Sequence, residues 1–223
     1  MKLILRMTLS LAACWLSPCT AASMCPPTDK DHEWPGACFA ANQSGERQVR
    51  PHYVKNIRLN RQGVALIMIE RPRELVAVDA AGKVVIPGIR HVGDFDYPTA
   101  PYGLGRYDVP VKSSRDGGMR QCGYFDTRRF KIVVPAVYDY CERFDEGTAK
   151  VCTDCVAYCT VSECQNSIAV GGKAMLIDTR GKLVRKVRQP ALADVCRTRG
   201  TLKVTKMTSS SLLLECMRDG PGR

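Results

Sequence analysis

From Tyr53 onward, short apolar runs alternate with breaks marked by glycine and proline, and the runs have the length of strands rather than helices. Val64-Ala-Leu-Ile-Met-Ile69, Leu75 to Val78, Lys83-Val-Val-Ile86, Lys131-Ile-Val-Val134 and Leu212 to Cys216 are four to six residues each, and most are rich in β-branched side chains. No stretch sustains a helical period. The pattern predicts an all-β chain of serial antiparallel hairpins and meanders with little helix. Before Tyr53, Pro26-Pro27, Pro35-Gly36 and many polar residues predict an N-terminal loop segment over 23–52, closed by Cys25 and Cys38.

The runs also repeat. Leu75-Val-Ala-Val-Asp79 through Pro87 aligns with Cys122-Gly-Tyr-Phe-Asp126 through Pro135, and with Ala174-Met-Leu-Ile-Asp178 through Val184. Each unit reads as strand, Asp-x-x-Gly turn, strand. The aspartate binds backbone N–H groups within the turn, and Gly82 or Gly181 takes the positive φ that closes it. The middle unit lacks that glycine and is one residue longer, which predicts an altered or bulged turn. A second element recurs in Gly63-Val-Ala-Leu-Ile67, Gly103-Leu-Gly-Arg-Tyr107 and Gly147-Thr-Ala-Lys-Val151. Three short strands per forty-odd residues follow.

Cys122-Gly-Tyr-Phe-Asp126, Lys-Ile-Val-Val-Pro135, Tyr138-Asp139 and Phe144-Asp-Glu-Gly147-Thr-Ala-Lys-Val151 together resemble a WG repeat of the KWG type, whose pattern is Trp-Gly-x-Ile-Asp, Gly-Lys-x-Val-Ile-Pro, Tyr-Asp, Phe and Gly-Leu-Ala-x-Val. The resemblance covers about 53–187 and is clearest in the middle copy. The tryptophan is Leu75, Cys122 or Ala174 here, and only Gly123 keeps the glycine. Cys152 to Cys164 is similar to a cysteine-rich insertion of exported bacterial members. The resemblance implies small antiparallel units packed in series, and no common activity.

The first residues change the picture of where the protein works. Met1-Lys2-Leu3-Ile4-Leu5-Arg6, the apolar run to Leu16 and the small residues Thr20-Ala21-Ala22-Ser23 predict a signal peptide over 1–22. Leu11-Ala12-Ala13-Cys14 offers a second reading, lipid anchoring at Cys14. No later run approaches the roughly 20 residues of a membrane-spanning helix. The expected location is therefore periplasmic or secreted.

Cleavage at Ala22 removes Cys14 and Cys19 and leaves ten of the twelve cysteines. In an oxidising space they read as disulfide candidates. Loop length points to Cys25 with Cys38, Cys122 with Cys141, Cys196 with Cys216, and two bridges among Cys152, Cys155, Cys159 and Cys164. That last cluster could instead bind zinc or act in redox chemistry. Val156 stands where a c-type haem site needs histidine.

The net charge of +11 becomes +9 without Lys2 and Arg6, which favours an anionic envelope component or a protein partner. No lysine–arginine run exceeds two residues, so a specific nucleic-acid footprint is not expected. Beyond Arg185 the chain turns basic, and 188–223 reads as a closing hairpin capping the last repeat.

No metal, cofactor or catalytic residue is assigned. Only His32, His52 and His91 exist, and none sits in a hydrolase, zinc-protease or nucleotide-loop motif. Asp94 with Asp96 and Asp145 with Glu146 fall at repeat turns. Tyr97, Tyr102 and Tyr107 beside Arg106 and Arg128 form the candidate ligand surface, tyrosine faces stacking and arginines pairing anions. The expectation is an exported, non-enzymatic binding or scaffold module. The alternatives are a small secreted enzyme or toxin-like effector around His91, or a metal or redox site at 152–164.

Overall fold

The computed structural model describes residues 25, 33–41, 46–71, 73–91, 95–111, 120–208 and 211–218. The predicted leader with Cys14 and Cys19, together with His32 and Asp94, lies outside them. The described chain is mostly β, its strands paired almost entirely antiparallel in five sheets.

The N-terminal segment is more ordered than its composition implies. It forms a hairpin of β1 (Phe39–Ala41) and β2 (Arg47–Val49), followed by the single turn of helix α1 (Pro51–Val54). It docks on the first repeat. Trp34 donates to the Met68 carbonyl, Glu70 donates to the Trp34 carbonyl, and Val49 donates to the Gly82 carbonyl. Phe39 and Val49 fill one core with Ile67, Ile69, Val76 and Val78.

Each repeat is a three-stranded meander. The first is β3 (Val64–Ile69), β4 (Glu74–Asp79) and β5 (Val84–Ile86). The second is β6 (Leu104–Pro110), β7 (Arg120–Asp126) and β8 (Lys131–Tyr138), with the two-residue β9 (Tyr140–Cys141) beyond it. The third begins at β10 (Thr148–Thr153), is interrupted by the hairpin of β11 (Val156–Cys159) and β12 (Ser167–Val170), and resumes as β13 (Lys173–Asp178) and β14 (Leu183–Val187). The strand order of its sheet is β14-β13-β10-β9.

The turn chemistry explains the repeat. Asp79 Oδ1 accepts from the backbone N–H of Ala81 and Lys83, Asp126 Oδ1 from Arg128 and Arg129, and Asp178 Oδ1 from Arg180 and Lys182. Gly82 and Gly181 close their turns at φ of 83° and 80°. In the middle turn Phe130 takes that role at φ 51°. A side chain in this region costs about 1–2 kcal/mol, and burying the Phe130 ring to 4% exposure offsets it. A register shift falls one or two residues before the aspartate in all three copies, between Ala77 and Val78, Tyr124 and Phe125, and Leu176 and Ile177. The bulge expected of the middle copy is thus common to all.

The sheets share cores in series. Val64, Ala77 and Ile86 of the first repeat pack with Tyr107, Phe125 and Phe130 of the second. Leu104, Cys122, Tyr124 and Val134 of the second pack with Ala149, Val151 and Ile177 of the third. Neighbouring residues Tyr124 and Phe125 thus face opposite cores, as strand alternation requires. Gly123 sits where β8 crosses closely: an added Cβ would overlap the Val134 carbonyl and the Pro135–Ala136 peptide.

The last element is a hairpin of β15 (Thr201–Lys206) and β16 (Leu212–Met217). It does not lie along β14. It joins β11 in a parallel contact, Cys159 opposite Leu213, giving the fifth sheet, ordered β12-β11-β16-β15. The inserted hairpin therefore supplies the surface that the chain end completes, with Tyr158, Val170, Cys196 and Leu214 as their shared core. Disulfides join Cys25–Cys38, Cys122–Cys141, Cys152–Cys155, Cys159–Cys164 and Cys196–Cys216. No described helix is long and apolar enough to cross a membrane.

Candidate functional site

The charged residues between the first two repeats are held in pairs. Arg106 clasps Asp96 with two hydrogen bonds of 2.8 Å and donates a third to the Cys141 carbonyl at 3.0 Å. Arg90 clasps Asp108 in the same two-pronged way, also at 2.8 Å, and Arg120 donates to the Asp108 carbonyl. Glu74 accepts from Arg47 through one oxygen and from the Gly88 N–H through the other, both at 2.8 Å. Burial disfavours the Arg90 cation, but its bond to Asp108 and the charges of Asp108 and Asp96 outweigh that and raise its pKa.

These pairs surround a cleft of about 380 Å³, with His91 on its wall. The His91 Nδ1 donates to the Ile89 carbonyl at 3.2 Å, a bond within its own loop. The carboxylates around it are therefore occupied by arginines, and the cleft is a joint between repeats in which charge fixes geometry.

The five residues of the candidate ligand surface separate into two groups. Tyr107 is 2% exposed and stacks edge-on to Phe125, with ring centroids 6.5 Å apart. Tyr97 packs against Phe125 and Phe130. Arg106 is committed to Asp96. These three hold repeats together.

Tyr102 and Arg128 come together instead at the opposite end of the β6-β7-β8 sheet. Tyr102 lies in the single turn Pro101–Gly103 before β6, at φ 58°. The Gly103 carbonyl accepts from both the N–H and the hydroxyl of Thr127, at 2.9 and 3.1 Å. That tie sets the tyrosine turn beside the Asp126 turn. Tyr102, Arg128, Arg129 and Asp126 then line an open cleft of about 510 Å³. The ring is 59% exposed and touches Phe144 at its edge. Arg129 is 3.6 Å from the Asp126 carboxylate, while Arg128 makes no ion pair among the described residues.

This pair has a chemical character. An exposed aromatic face takes a sugar ring or a flat apolar group, and a nearby unpaired guanidinium takes a carboxylate, phosphate or sulfate. Sequence reasoning named both residues but also their buried neighbours, because exposure is not written in residue type. Arg129, the residue after Arg128, is an addition from the fold, which places it on the same cleft.

Of the 152–164 cysteines, Cys152 and Cys155 lie at the root of the inserted hairpin, and Cys159 and Cys164 at its turn end. Cys152 and Cys155 pack with Ala169 and Ala174, and the two disulfides use all four sulfurs. Among the described residues no group of three or more histidine, cysteine or acidic side chains is placed to hold a metal ion.

No curated protein and no solved structure matches this chain. Residues 123–154, from β7 through β8 and β9 to the end of β10, match the family model described as the WG containing repeat, which supports the repeat reading of this β stack.

Proposed function

We propose that the protein is an exported repeat module that binds an anionic envelope component, an acidic glycan in the first instance, in the cleft of Tyr102, Arg128 and Arg129. The observation that carries this reading is Tyr102. Its backbone sits in a conformation that costs an L-residue about 1–2 kcal/mol, and unlike Phe130 its ring is not buried in return. Unrelieved strain that presents an aromatic face beside an unpaired arginine is a common property of ligand sites. The five disulfides support an oxidising, exported setting. The leader-like first 22 residues support it as well.

Calorimetric titration of the disulfide-intact protein with oligogalacturonate, against an uncharged malto-oligosaccharide of equal length, tests the reading. The acidic sugar is expected to bind and the neutral one not. Tyr102→Ala and Arg128→Ala should each weaken binding at least tenfold while leaving the melting temperature unchanged. Equal affinity for both sugars, or variants that bind like the parent, would sink it.

A further inference from the structure

The third strand of a repeat ends its meander, and its outer side is where another strand could add. The first two copies carry a proline there, Pro87 eight residues after Asp79 and Pro135 nine after Asp126. Proline has no N–H to offer a ladder. In the third copy the residue eight after Asp178 is Lys186, and β14 contains no proline. It lies at the end of its sheet. Among the described residues, 183–187 make no backbone hydrogen bond beyond those to β13.

The side chains of β14 are as open as its edge. Leu183, Val184, Arg185 and Lys186 are all exposed, the two aliphatic residues to 56% and 53%. Consecutive strand residues point to opposite faces, so both faces are bare there. Charge concentrates in the same part of the chain. Residues 180–218 hold ten basic and two acidic residues, a net +8 of the chain's +11. Arg180 pairs with Asp178, but Lys182, Arg185, Lys186 and Arg188 make no ion pair among the described residues.

From this combination we infer that β14 is a docking edge for an extended acidic segment of a partner protein, which adds as a fifth strand to the β14-β13-β10-β9 sheet. The backbone edge selects an extended peptide. The unpaired cations select carboxylates, and Leu183 and Val184 favour aliphatic residues between them. A second copy is a poor occupant. Two β14 strands side by side would set arginine and lysine against their like, which cross-strand pairing penalises. The cations that close this edge to self-association thus leave it open to an acidic strand.

The test uses the disulfide-intact protein and a fluorescein-labelled decapeptide alternating glutamate and valine. Three controls accompany it: the same peptide N-methylated at alternate residues, a lysine–valine counterpart, and phosphatidylglycerol vesicles. By anisotropy the glutamate–valine peptide is expected to bind, and N-methylation to weaken it at least tenfold. Arg185→Glu with Lys186→Glu should reverse the preference in favour of lysine–valine. Peptide binding to the unaltered protein should also slow hydrogen exchange at 183–187, a readout that does not depend on how the variant folds. Equal binding of the methylated peptide, an unchanged preference in the charge-reversed protein, or binding to vesicles without binding to peptide overturns the inference.

Discussion

The sheet of the second repeat and the sheet that the chain end completes are built from the same kind of strand yet hold together differently. In β6-β7-β8 both faces are covered, and Tyr107, Tyr124 and Phe125 are almost fully buried between neighbouring repeats. In β12-β11-β16-β15 one face packs on a small cluster, and β15 is exposed at nearly every residue. Two of the five disulfides, Cys159–Cys164 and Cys196–Cys216, sit in or beside this thinner sheet. The lesson is one of proportion: the second repeat adds one disulfide, Cys122–Cys141, to a large shared core, while the chain end sets two against a small cluster. A small core gains most from a constraint on the unfolded chain.

Core truncation gives the largest contrast. Phe125→Ala, which empties the space between the first two repeats, should cost about 3–5 kcal/mol. Val204→Ala on β15 should stay within about 0.5 kcal/mol. Guanidinium denaturation of the disulfide-intact protein measures both. Comparable losses would show that the two sheets do not differ as argued. Next comes Cys196→Ser with Cys216→Ser, which opens a bridge across 20 residues and should cost about 3 kcal/mol. The loss should be local. Amides of 201–206 and 212–217 should exchange faster, while those of 122–126 keep their protection; loss of protection in both would mean one cooperative unit.

Much of this architecture was legible in the chain, because strand alternation and Asp-x-x-Gly turns are local chemistry. Asp79, Asp126 and Asp178 fall at the turns their spacing predicts, and the all-β class follows. What was not legible depends on distant partners. Nothing local in Phe130 announces a positive φ, which becomes tolerable only once its ring is buried beside Phe125 and Tyr97. The pairing of Arg106 with Asp96, or of β11 with β16, joins residues that sequence pattern cannot relate. The same limit blurred the ligand surface: Tyr102 and Tyr107 look alike in the chain, and only the fold buries one and exposes the other.

Alkaline titration sharpens the comparison through the tyrosines. Burial raises the Tyr124 phenol well above its ordinary pKa of 10, with Arg106 and Arg90 opposing it only in part, and the hydroxyl donates to the Glu142 carbonyl at 2.6 Å. Burial likewise raises Tyr107. A phenol that keeps its proton in the fold but loses it when unfolded stabilises the fold less as pH climbs past 10. Ultraviolet difference absorbance should therefore show Tyr107 and Tyr124 ionising only as the stack unfolds. Tyr124→Phe should remove its share of that step.

The smallest effect concerns the turn leading into β14. The Lys182 N–H, then that of Arg180 together with the Arg180 charge, hold the Asp178 carboxyl below its ordinary pKa of 3.8. A depressed folded pKa contributes stability above the unfolded value and loses it as pH falls through the folded one. The turn should therefore be unaffected at neutral pH and loosen only below about 3.8. Asp178→Asn keeps an oxygen for the two N–H groups but has no charge to lose, so protection of Arg180 and Lys182 relative to their intrinsic exchange rates should be flat across that range. Asp178→Ala has neither oxygen nor charge and should leave both amides unprotected at every pH. If the acid step persisted in Asp178→Asn, the turn would owe it to another group, and the tie between this aspartate and the register of β14 would fail.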